Sequence, residues 1–242
     1  MAQVKTKEEI KKVKMACRIT DAIFTYICHK SDLWQMTEIE LRDLILSKIK
    51  KRGLRPSFPP IVTSGGRAGN SIHPKPTDQK LSGFVIVDFG VRYLGYCSDM
   101  TRMLYVVDSE RSRRVDKQNK LNKKEKEIYK KILYAQNLGI KNSKIGAKCA
   151  DVDDTVRKSL GNYKKYFIHT LGHGVGRKIH ENPKLYYKHT KPVLKEGMVI
   201  TIEPGIYIKN KLGIRIEDTI LIQKGQPQIL TKSFKKLIII KN

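Results

Sequence analysis

Apolar positions recur at helical spacing over the first fifty residues and predict two helices. Thr6 and Glu9 have the spacing of a capping box, and the apolar residues after them return every three or four positions: Ile10, Val13, Met15, Ala16, Ile19, Ala22 and Ile23. This pattern predicts a helix over about residues 7–29. A second capping signal followed by apolar positions, with Gly53 as a C-terminal stop, predicts another helix over about 37–52.

The next fifty residues show the pattern of strands. Apolar residues dominate 58–107, where 84–87 and a second apolar stretch flank a turn between Gly90 and Gly95. Residues 108–124 are charged and poor in apolar side chains, which predicts an exposed basic connector.

The same order of elements returns in the second part of the chain. Patterns there predict two helices and four strand regions, at about 123–142 and 149–160 for the helices and near 166–171, 198–208, 213–223 and 228–240 for the strands. Each half consists of two helices followed by hairpins. We therefore predict an α+β fold of two similar halves, forming a single catalytic domain over 1–242.

The net charge of +26 comes mainly from lysines that are spread along all 242 residues. Nucleic-acid sites more often concentrate arginines and aromatic residues on one element. A solvated basic surface is therefore the simpler interpretation. Non-specific attraction to polyanions such as ribosomal RNA stays open as an alternative, and it would weaken steeply with salt.

Cysteine usage and the N-terminus indicate a cytoplasmic protein. The four cysteines include no Cys-x-x-Cys pair, so free thiols in a reducing compartment are expected. The N-terminus lacks the apolar segment of a secretory signal. No stretch approaches the roughly 20 apolar residues of a membrane span, so we expect no membrane partner.

Four carboxylates interrupt apolar strands in two predicted hairpins. Asp88 ends an apolar strand, and Asp99 comes 11 residues later, so a simple hairpin would place them nearly opposite each other. Glu203 and Glu217 are arranged in the same way about Asn210. Each alone would be an ordinary turn or edge residue, but like charges so placed repel. A metal between them would turn that repulsion into attraction, because a buried carboxylate needs a partner or a cation.

His173 is the fifth candidate ligand, in a segment whose alternating glycines let the backbone pass close to a ligand. Two aspartates, two glutamates and one neutral histidine carry a charge of −4, which two divalent cations would balance. Such an oxygen-rich set with one imidazole suits Mn²⁺, Fe²⁺ or Co²⁺ better than a thiolate-rich zinc site would. Two metals about 3.5–4 Å apart would share a water molecule and lower its pKa.

Five segments resemble the motifs of the pita-bread metallopeptidases, a family that includes methionine aminopeptidase, aminopeptidase P and Xaa-Pro dipeptidase. The resemblance covers nearly the whole chain and is carried by residues 87–90, 98–102, 169–176, 202–205 and 215–218. It implies two pseudo-symmetric helix and antiparallel-sheet halves around a dinuclear metal site, with the ligands Asp88, Asp99, His173, Glu203 and Glu217. It also implies hydrolysis of the N-terminal peptide bond by a metal-bridging water or hydroxide.

The resemblance further implies roles for residues around the metals. His73 lies at the position of a substrate-contacting histidine, and His180 at that of a second one, which binds the substrate carbonyl or stabilises the tetrahedral intermediate. Glu203 would be ligand and proton shuttle at once, taking a proton from the water and giving it to the leaving amine. Arg215 shares a strand face with Glu217 and would orient a carboxylate ligand.

Residues 95–99 and 213–218 resemble the proline-specific branch of the family, so Xaa-Pro bonds in peptides are the expected substrate. Two features differ from that branch. A separate N-terminal domain is not expected, and Lys184 lies where prolidases commonly have an arginine that holds the carboxylate of a dipeptide. A lysine keeps the charge but loses the bidentate grip. A methionine aminopeptidase acting on nascent chains stays open as the alternative, as does a non-catalytic binding module, and we expect a monomer or a homodimer.

Overall fold

The described residues contain four α-helices, at the places where the sequence patterns predict them. The computed structural model describes residues 4–107 and 121–241, and its helices are α1 Lys7–Cys28, α2 Glu38–Lys50, α3 Lys123–Asn142 and α4 Cys149–Ser159. Capping boxes begin three of them, at Thr6, Thr37 and Asn122. The predicted helices are confirmed to within a turn. Most of the predicted basic connector, up to residue 120, lies outside the described residues, and its last residues begin α3.

The strands of the described residues form two main sheets and two small ribbons. The strands are β1 Arg55–Pro56, β2 Ile61–Ser64, β3 Gly83–Asp88, β4 Val91–Tyr93, β5 Tyr96–Cys97, β6 Thr101–Val106, β7 Gly172–Gly174, β8 Glu181–Leu185, β9 Val199–Ile202, β10 Gly205–Ile208, β11 Leu212–Arg215, β12 Asp218–Leu221, β13 Gln228–Ile229 and β14 Ile238–Ile240. One main sheet has the order β14-β6-β3-β2 and the other β13-β12-β9-β7-β8. The ribbons are β1-β4-β5 and β10-β11.

Two large apolar cores lie between helices and sheets, and the second of them also takes in Phe84 and Met103 from the first half. Ile23 of α1 and Ile45 of α2 pack into one core with strands of the first half. Ile132 of α3 and Val156 of α4 pack into the other core with Ile200 of β9. Strand β11 lies beside β3 and β6, so the two halves meet along the strands that carry the predicted ligands. No described helix combines the length and hydrophobicity that crossing a membrane requires, and all four cysteines are free thiols.

The second hairpin has the predicted register, and the first is shifted. Strands β10 and β11 pair about Asn210, and Ile202 lies opposite Asp218 in the next ladder, so the register places Glu203 opposite Glu217. In the first hairpin the reversal occurs at Leu94 and Gly95, which both have positive φ, 44° and 83°. Two such residues are typical of a type I′ turn.

This tight turn sets the register of the whole first hairpin. Asp88 lies opposite Thr101 rather than nearly opposite Asp99. The expected pairing of the two aspartates is therefore wrong by two residues. A shift of two keeps a side chain on the same face of a strand, and both carboxylates still face the space between the halves.

None of the four predicted strand regions in the second half corresponds to a single strand of the structure. Residues 198–208 are divided between β9 and β10, and residues 213–223 between β11 and β12. Residues 166–171 form no strand, and the Arg157 guanidinium donates to the carbonyl oxygens of Phe167 and His169 within this segment. The strand begins only at Gly172. The predicted strand 228–240 is split into β13 and β14, and β14 pairs in parallel with β6 of the opposite half.

Candidate active site

Three predicted ligands form a compact buried cluster at the meeting of the two halves. Asp99 lies between β5 and β6, His173 lies in β7, and Glu217 connects β11 to β12. Each offers a ligand atom, and these atoms all lie within 4.8 Å of one another. The three residues come from both halves of the chain, so the cluster exists only because the halves pack together.

The two remaining predicted ligands lie at the same place. Glu203 Oε1 is 3.4 Å from His173 Nε2, which is also 3.6 Å from Asp99 Oδ2. Asp88, at the end of β3, is close enough for its charge to raise the pKa of both Asp99 and Glu217. The structure therefore brings all five side chains together, and their assignment as ligands stays a prediction.

Two buried carboxylate oxygens in this group have no hydrogen-bond partner among the described residues. They are Asp88 Oδ1 and Glu217 Oε1, while the second oxygen of each accepts a bond from Arg215 or from the Thr101 hydroxyl. An unpaired buried carboxylate oxygen is unfavourable, and a divalent cation would satisfy it. The residues present thus fit a divalent metal site with hard oxygen donors and one imidazole.

Burial and mutual repulsion make these carboxyl groups hard to ionise without a cation. Burial raises the pKa of Glu203 to about 8. Burial also raises the pKa of Asp99 and of Glu217 well above their usual ranges, and their carboxylate neighbours raise it further. For Asp88, burial raises the pKa although the guanidinium of Arg215 opposes it. Cations bound here would hold all four groups in their ionised form.

The histidine of the cluster is held neutral with one nitrogen turned to the carboxylates. Burial lowers the pKa of His173 to about 4. Its Nδ1 lies 3.0 Å from the carbonyl oxygen of Gly174, so Nδ1 donates and Nε2 keeps its lone pair for a ligand. The neighbouring glycines serve the packing of the sheet. A Cβ on Gly172 would lie 2.0 Å from the Thr201 carbonyl oxygen, and one on Gly174 would lie 2.4 Å from that of Asn182.

Arg215 is buried and connects three parts of the site. Its guanidinium donates to Asp88 Oδ2 at 2.6 Å, to the Tyr207 hydroxyl at 2.7 Å and to the Ile72 carbonyl oxygen at 3.0 Å. Arg215 is therefore a buried residue in contact with a carboxylate and not a solvated surface arginine. The arginine contacts Asp88 in the other half of the chain, and through Ile72 it also holds the loop that carries His73.

Two functional neighbours escaped the sequence argument. Tyr207 donates its hydroxyl proton toward His169 Nε2 at 3.0 Å, and His169 Nδ1 donates to the Thr170 carbonyl oxygen at 2.8 Å. Burial lowers the pKa of His169 to about 3, so this imidazole is neutral. The available signal was position, because His169 precedes His173 by four residues within one glycine-containing segment.

A cleft of about 590 Å³ opens above the cluster. His73, His180 and Lys184 line it together with an apolar wall made by Phe58, Pro59, Pro60, Ile72, Pro74 and Pro76. The ring of His180 stands edge-on to that of His173 with centroids 4.5 Å apart. Burial, and then the nearby Lys184, lower the pKa of His180, while burial and Arg215 lower that of His73. Both imidazoles face the cleft in the form that has one N–H donor.

A buried group of four carboxylates and one imidazole beneath an open cleft is typical of metal-dependent hydrolases. The chain is 38 % identical over 240 residues to the Xaa-Pro dipeptidase of Pyrococcus furiosus, covering 97 % of this chain and 65 % of the relative. Its structure resembles the prolidase from Pyrococcus horikoshii with a TM-score of 0.87 at 36 % identity, covering 97 % of this chain and 65 % of that one. The X-Pro aminopeptidase from Thermotoga maritima gives a TM-score of 0.87 at 30 % identity, with 99 % and 65 % covered.

The chain belongs to metallopeptidase family M24, whose family model matches residues 11–224. The likeness to these solved structures confirms the α+β architecture of the pita-bread type predicted from the sequence. The chain spans about 65 % of the length of the relatives named above.

Proposed function

We propose that the chain is a metal-dependent exopeptidase that hydrolyses the bond between an N-terminal residue and proline. The observation that supports this most is the convergence of Asp88, Asp99, His173, Glu203 and Glu217, with two unpartnered carboxylate oxygens, beneath a cleft. The names of the relatives favour Xaa-Pro substrates over the removal of an initiator methionine. The buried, assembled cluster also argues against a non-catalytic binding module.

The donor set supports two divalent cations, with Mn²⁺, Co²⁺ and Fe²⁺ as the candidates. Four carboxylates with one neutral imidazole match the preference of these ions for oxygen donors with some nitrogen. Asp99, His173 and Glu217 would hold one ion in their compact cluster, and Asp88 would share in holding the second. When bound, such ions activate a water molecule as nucleophile and polarise the scissile carbonyl group.

Side chains around the cluster supply proton transfer and substrate binding. Glu203 takes a proton at a carboxylate oxygen and passes it to the leaving proline nitrogen, which is general acid-base catalysis. His180 and His73, which both line the cleft, donate their imidazole N–H groups to the substrate. The apolar wall, which includes Phe58 and Ile72, packs against the substrate side chains and excludes water from them.

The test measures release of the N-terminal residue from three peptides in Mn²⁺ or Co²⁺: Leu-Pro, Leu-Pro-Ala and Met-Ala-Ser. We expect hydrolysis of the two proline peptides, and no activity after chelation of the metal. Asp99→Asn should abolish turnover, whereas Asp43→Asn, which changes an exposed aspartate of α2, should leave it unchanged. Faster cleavage of Met-Ala-Ser would move the assignment to methionine aminopeptidase, and no release with any divalent metal would refute the proposal.

Lys184 offers a way to separate dipeptidase from aminopeptidase activity. It lies on β8 opposite His173 and lines the cleft, where its ammonium group can meet the carboxylate of a dipeptide. Lys184→Met should raise KM for Leu-Pro about tenfold, the scale of one exposed charge-assisted hydrogen bond, and change KM for Leu-Pro-Ala little. Lys191→Met, which removes an exposed lysine outside the cleft, is the matched control. Equal effects on both peptides would show that Lys184 does not contact the carboxylate.

The charge of +26 supports a secondary interaction with polyanions such as ribosomal RNA. Such binding would be non-specific and would weaken steeply between 50 and 200 mM salt. Sedimentation with and without RNA over that salt range tests it, and salt-independent association would contradict a purely electrostatic origin.

A further inference from the structure

A second buried polar cluster lies directly behind the ligand Glu217. It consists of Arg102, Asp218 and Lys235, which we call the tether cluster. Arg102 is 1 % exposed and Asp218 is fully buried. Arg102 Nη2 lies 2.6 Å from Asp218 Oδ1, and Lys235 Nζ lies 2.8 Å from Asp218 Oδ2. None of the three residues belongs to the proposed metal ligands or lines the cleft.

The Asp218 carboxylate accepts hydrogen bonds from four side chains. Besides the two cations, Gln136 Nε2 donates to Oδ2 at 2.9 Å and the Thr231 hydroxyl donates to Oδ1 at 3.0 Å. A buried charge with this many well-placed donors is rigidly held. Glu217 directly precedes Asp218, so its backbone is anchored on that side.

Arg102 contacts both Asp218 and the backbone of Glu217. Its Nη1 donates to the carbonyl oxygen of Glu217 at 2.5 Å and to that of Thr101 at 3.0 Å. The Glu217 N–H in turn donates to the Thr101 carbonyl oxygen at 3.2 Å. The Thr101 hydroxyl then donates to Glu217 Oε2 at 2.7 Å, which leaves Oε1 without a partner among the described residues. The backbone and one carboxylate oxygen of Glu217 are thus fixed from one side.

The C-terminal segment 231–235 completes the tether cluster. Arg102 Nε and Nη2 both donate to the Ser233 carbonyl oxygen, at 3.0 and 2.9 Å. Ser233 is itself held by the Asp21 carboxylate of α1, which accepts bonds from its N–H at 2.8 Å and its hydroxyl at 2.6 Å. The segment lies between β13 and β14, outside any strand, and it supplies Lys235 to the group behind the ligand.

We propose that Arg102, Asp218 and Lys235 are positioning residues that hold Glu217 in the geometry for divalent cations. The segment 231–235 is then part of the metal site although none of its side chains is a ligand. This inference rests on the proposed metal site. Groups that orient a ligand typically contribute a factor of ~10–100 to metal affinity, which sets the size of the expected effect.

The test compares the Mn²⁺ dissociation constant of four proteins by isothermal titration. Lys235→Met should raise it about tenfold, and Lys235→Arg, which keeps the charge, should restore most of the affinity. Lys236→Met removes the exposed lysine that directly follows this segment and should leave the dissociation constant unchanged. A dissociation constant for Lys235→Met equal to that of the parent would overturn the proposal.

A second variant and a second readout separate positioning from general stability. Arg102→Lys loses the paired donors to Glu217 and Thr101 and should weaken Mn²⁺ binding about 100-fold. If it does not fold, the Lys235 variants decide the matter alone. A purely structural role would lower the melting temperature of the metal-free protein without reducing the increase that Mn²⁺ produces. A parent that binds Mn²⁺ but hydrolyses no peptide would refute the proposed function and leave this inference standing.

Discussion

Replacing Glu203 with glutamine should stabilise the metal-free protein at alkaline pH and destabilise the metal-loaded one. In the absence of cations, the Glu203 carboxylate is largely shielded from solvent near Asp88; burial raises its pKa, and the charge of Asp88 raises it further. Glutamine has nearly the same shape but cannot ionise, so it removes the unfavourable charge. In the metal-loaded protein the same charge is favourable, and its loss weakens cation binding.

The magnitude follows from the pKa of Glu203, which burial raises to about 8 from an ordinary value of 4.5. Between these values the folded state binds more protons than the unfolded state, so stability falls as the pH rises. From pH 5 to pH 8 the loss amounts to roughly 3 to 4 kcal/mol at 1.36 kcal/mol per pH unit. Burial lowers the pKa of His173 to about 4 and that of His169 to about 3, so these residues change stability with pH in the opposite direction. Their contributions are the same in variant and parent and cancel in the difference.

The assay is urea unfolding followed by circular dichroism at pH 5 and pH 8 in a chelator, for the parent and for Glu203→Gln. As the pH rises, the free energy of unfolding of the variant should increase relative to that of the parent. Glu196→Gln, which changes an exposed glutamate, should show no such trend. In saturating Mn²⁺ the order should reverse, since each tenfold loss of affinity lowers stability by about 1.4 kcal/mol. A difference that does not depend on pH would refute the reasoning.

Three other substitutions test the imidazole in the cleft, the central arginine and the core separately. His180→Ala should lower kcat/KM for Leu-Pro-Ala about 100-fold and leave Mn²⁺ affinity intact; lost Mn²⁺ binding in titration would contradict a substrate role. Arg215→Met leaves Asp88 buried without its cation and should lower the free energy of unfolding by about 3–5 kcal/mol in urea, whereas a change below about 1 kcal/mol would argue against the contact. Phe24→Ala removes a fully buried ring of α1 and should lower stability by about 3–5 kcal/mol with kcat unchanged at 25 °C.

The elements that could be predicted are those whose signals are local. Capping boxes such as Thr6 with Glu9 fix helix starts within four residues. The second hairpin was predictable because its ladders pair symmetrically about Asn210, without a bulge between Glu203 and Glu217. The five ligand candidates could be identified because each lies in a short local motif that resembles the family.

The features that could not be predicted depend on contacts between distant parts of the chain. The turn at Leu94 uses a leucine with positive φ, which propensity disfavours, so assuming a symmetric hairpin about the midpoint of Asp88 and Asp99 misses the reversal by one residue. Over residues 166–171, where a strand was expected, Arg157 donates to two backbone carbonyl oxygens, a contact that no local pattern indicates. The contact of Arg215 with Asp88 spans 127 residues, and no local pattern distinguishes that arginine from a solvated one.

The adjacent acids Glu217 and Asp218 show how the fold assigns opposite properties to neighbouring residues of one type. Successive side chains of an extended segment point to opposite faces. Glu217 faces other carboxylates, and burial and its acidic neighbours raise its pKa well above the usual range. Asp218 faces Arg102 and Lys235, which outweigh the effect of burial and lower its pKa. One carboxylate therefore needs an external cation, and the other already has two internal ones. Because both lie on the same short stretch of backbone, the satisfied group can hold the unsatisfied one in position.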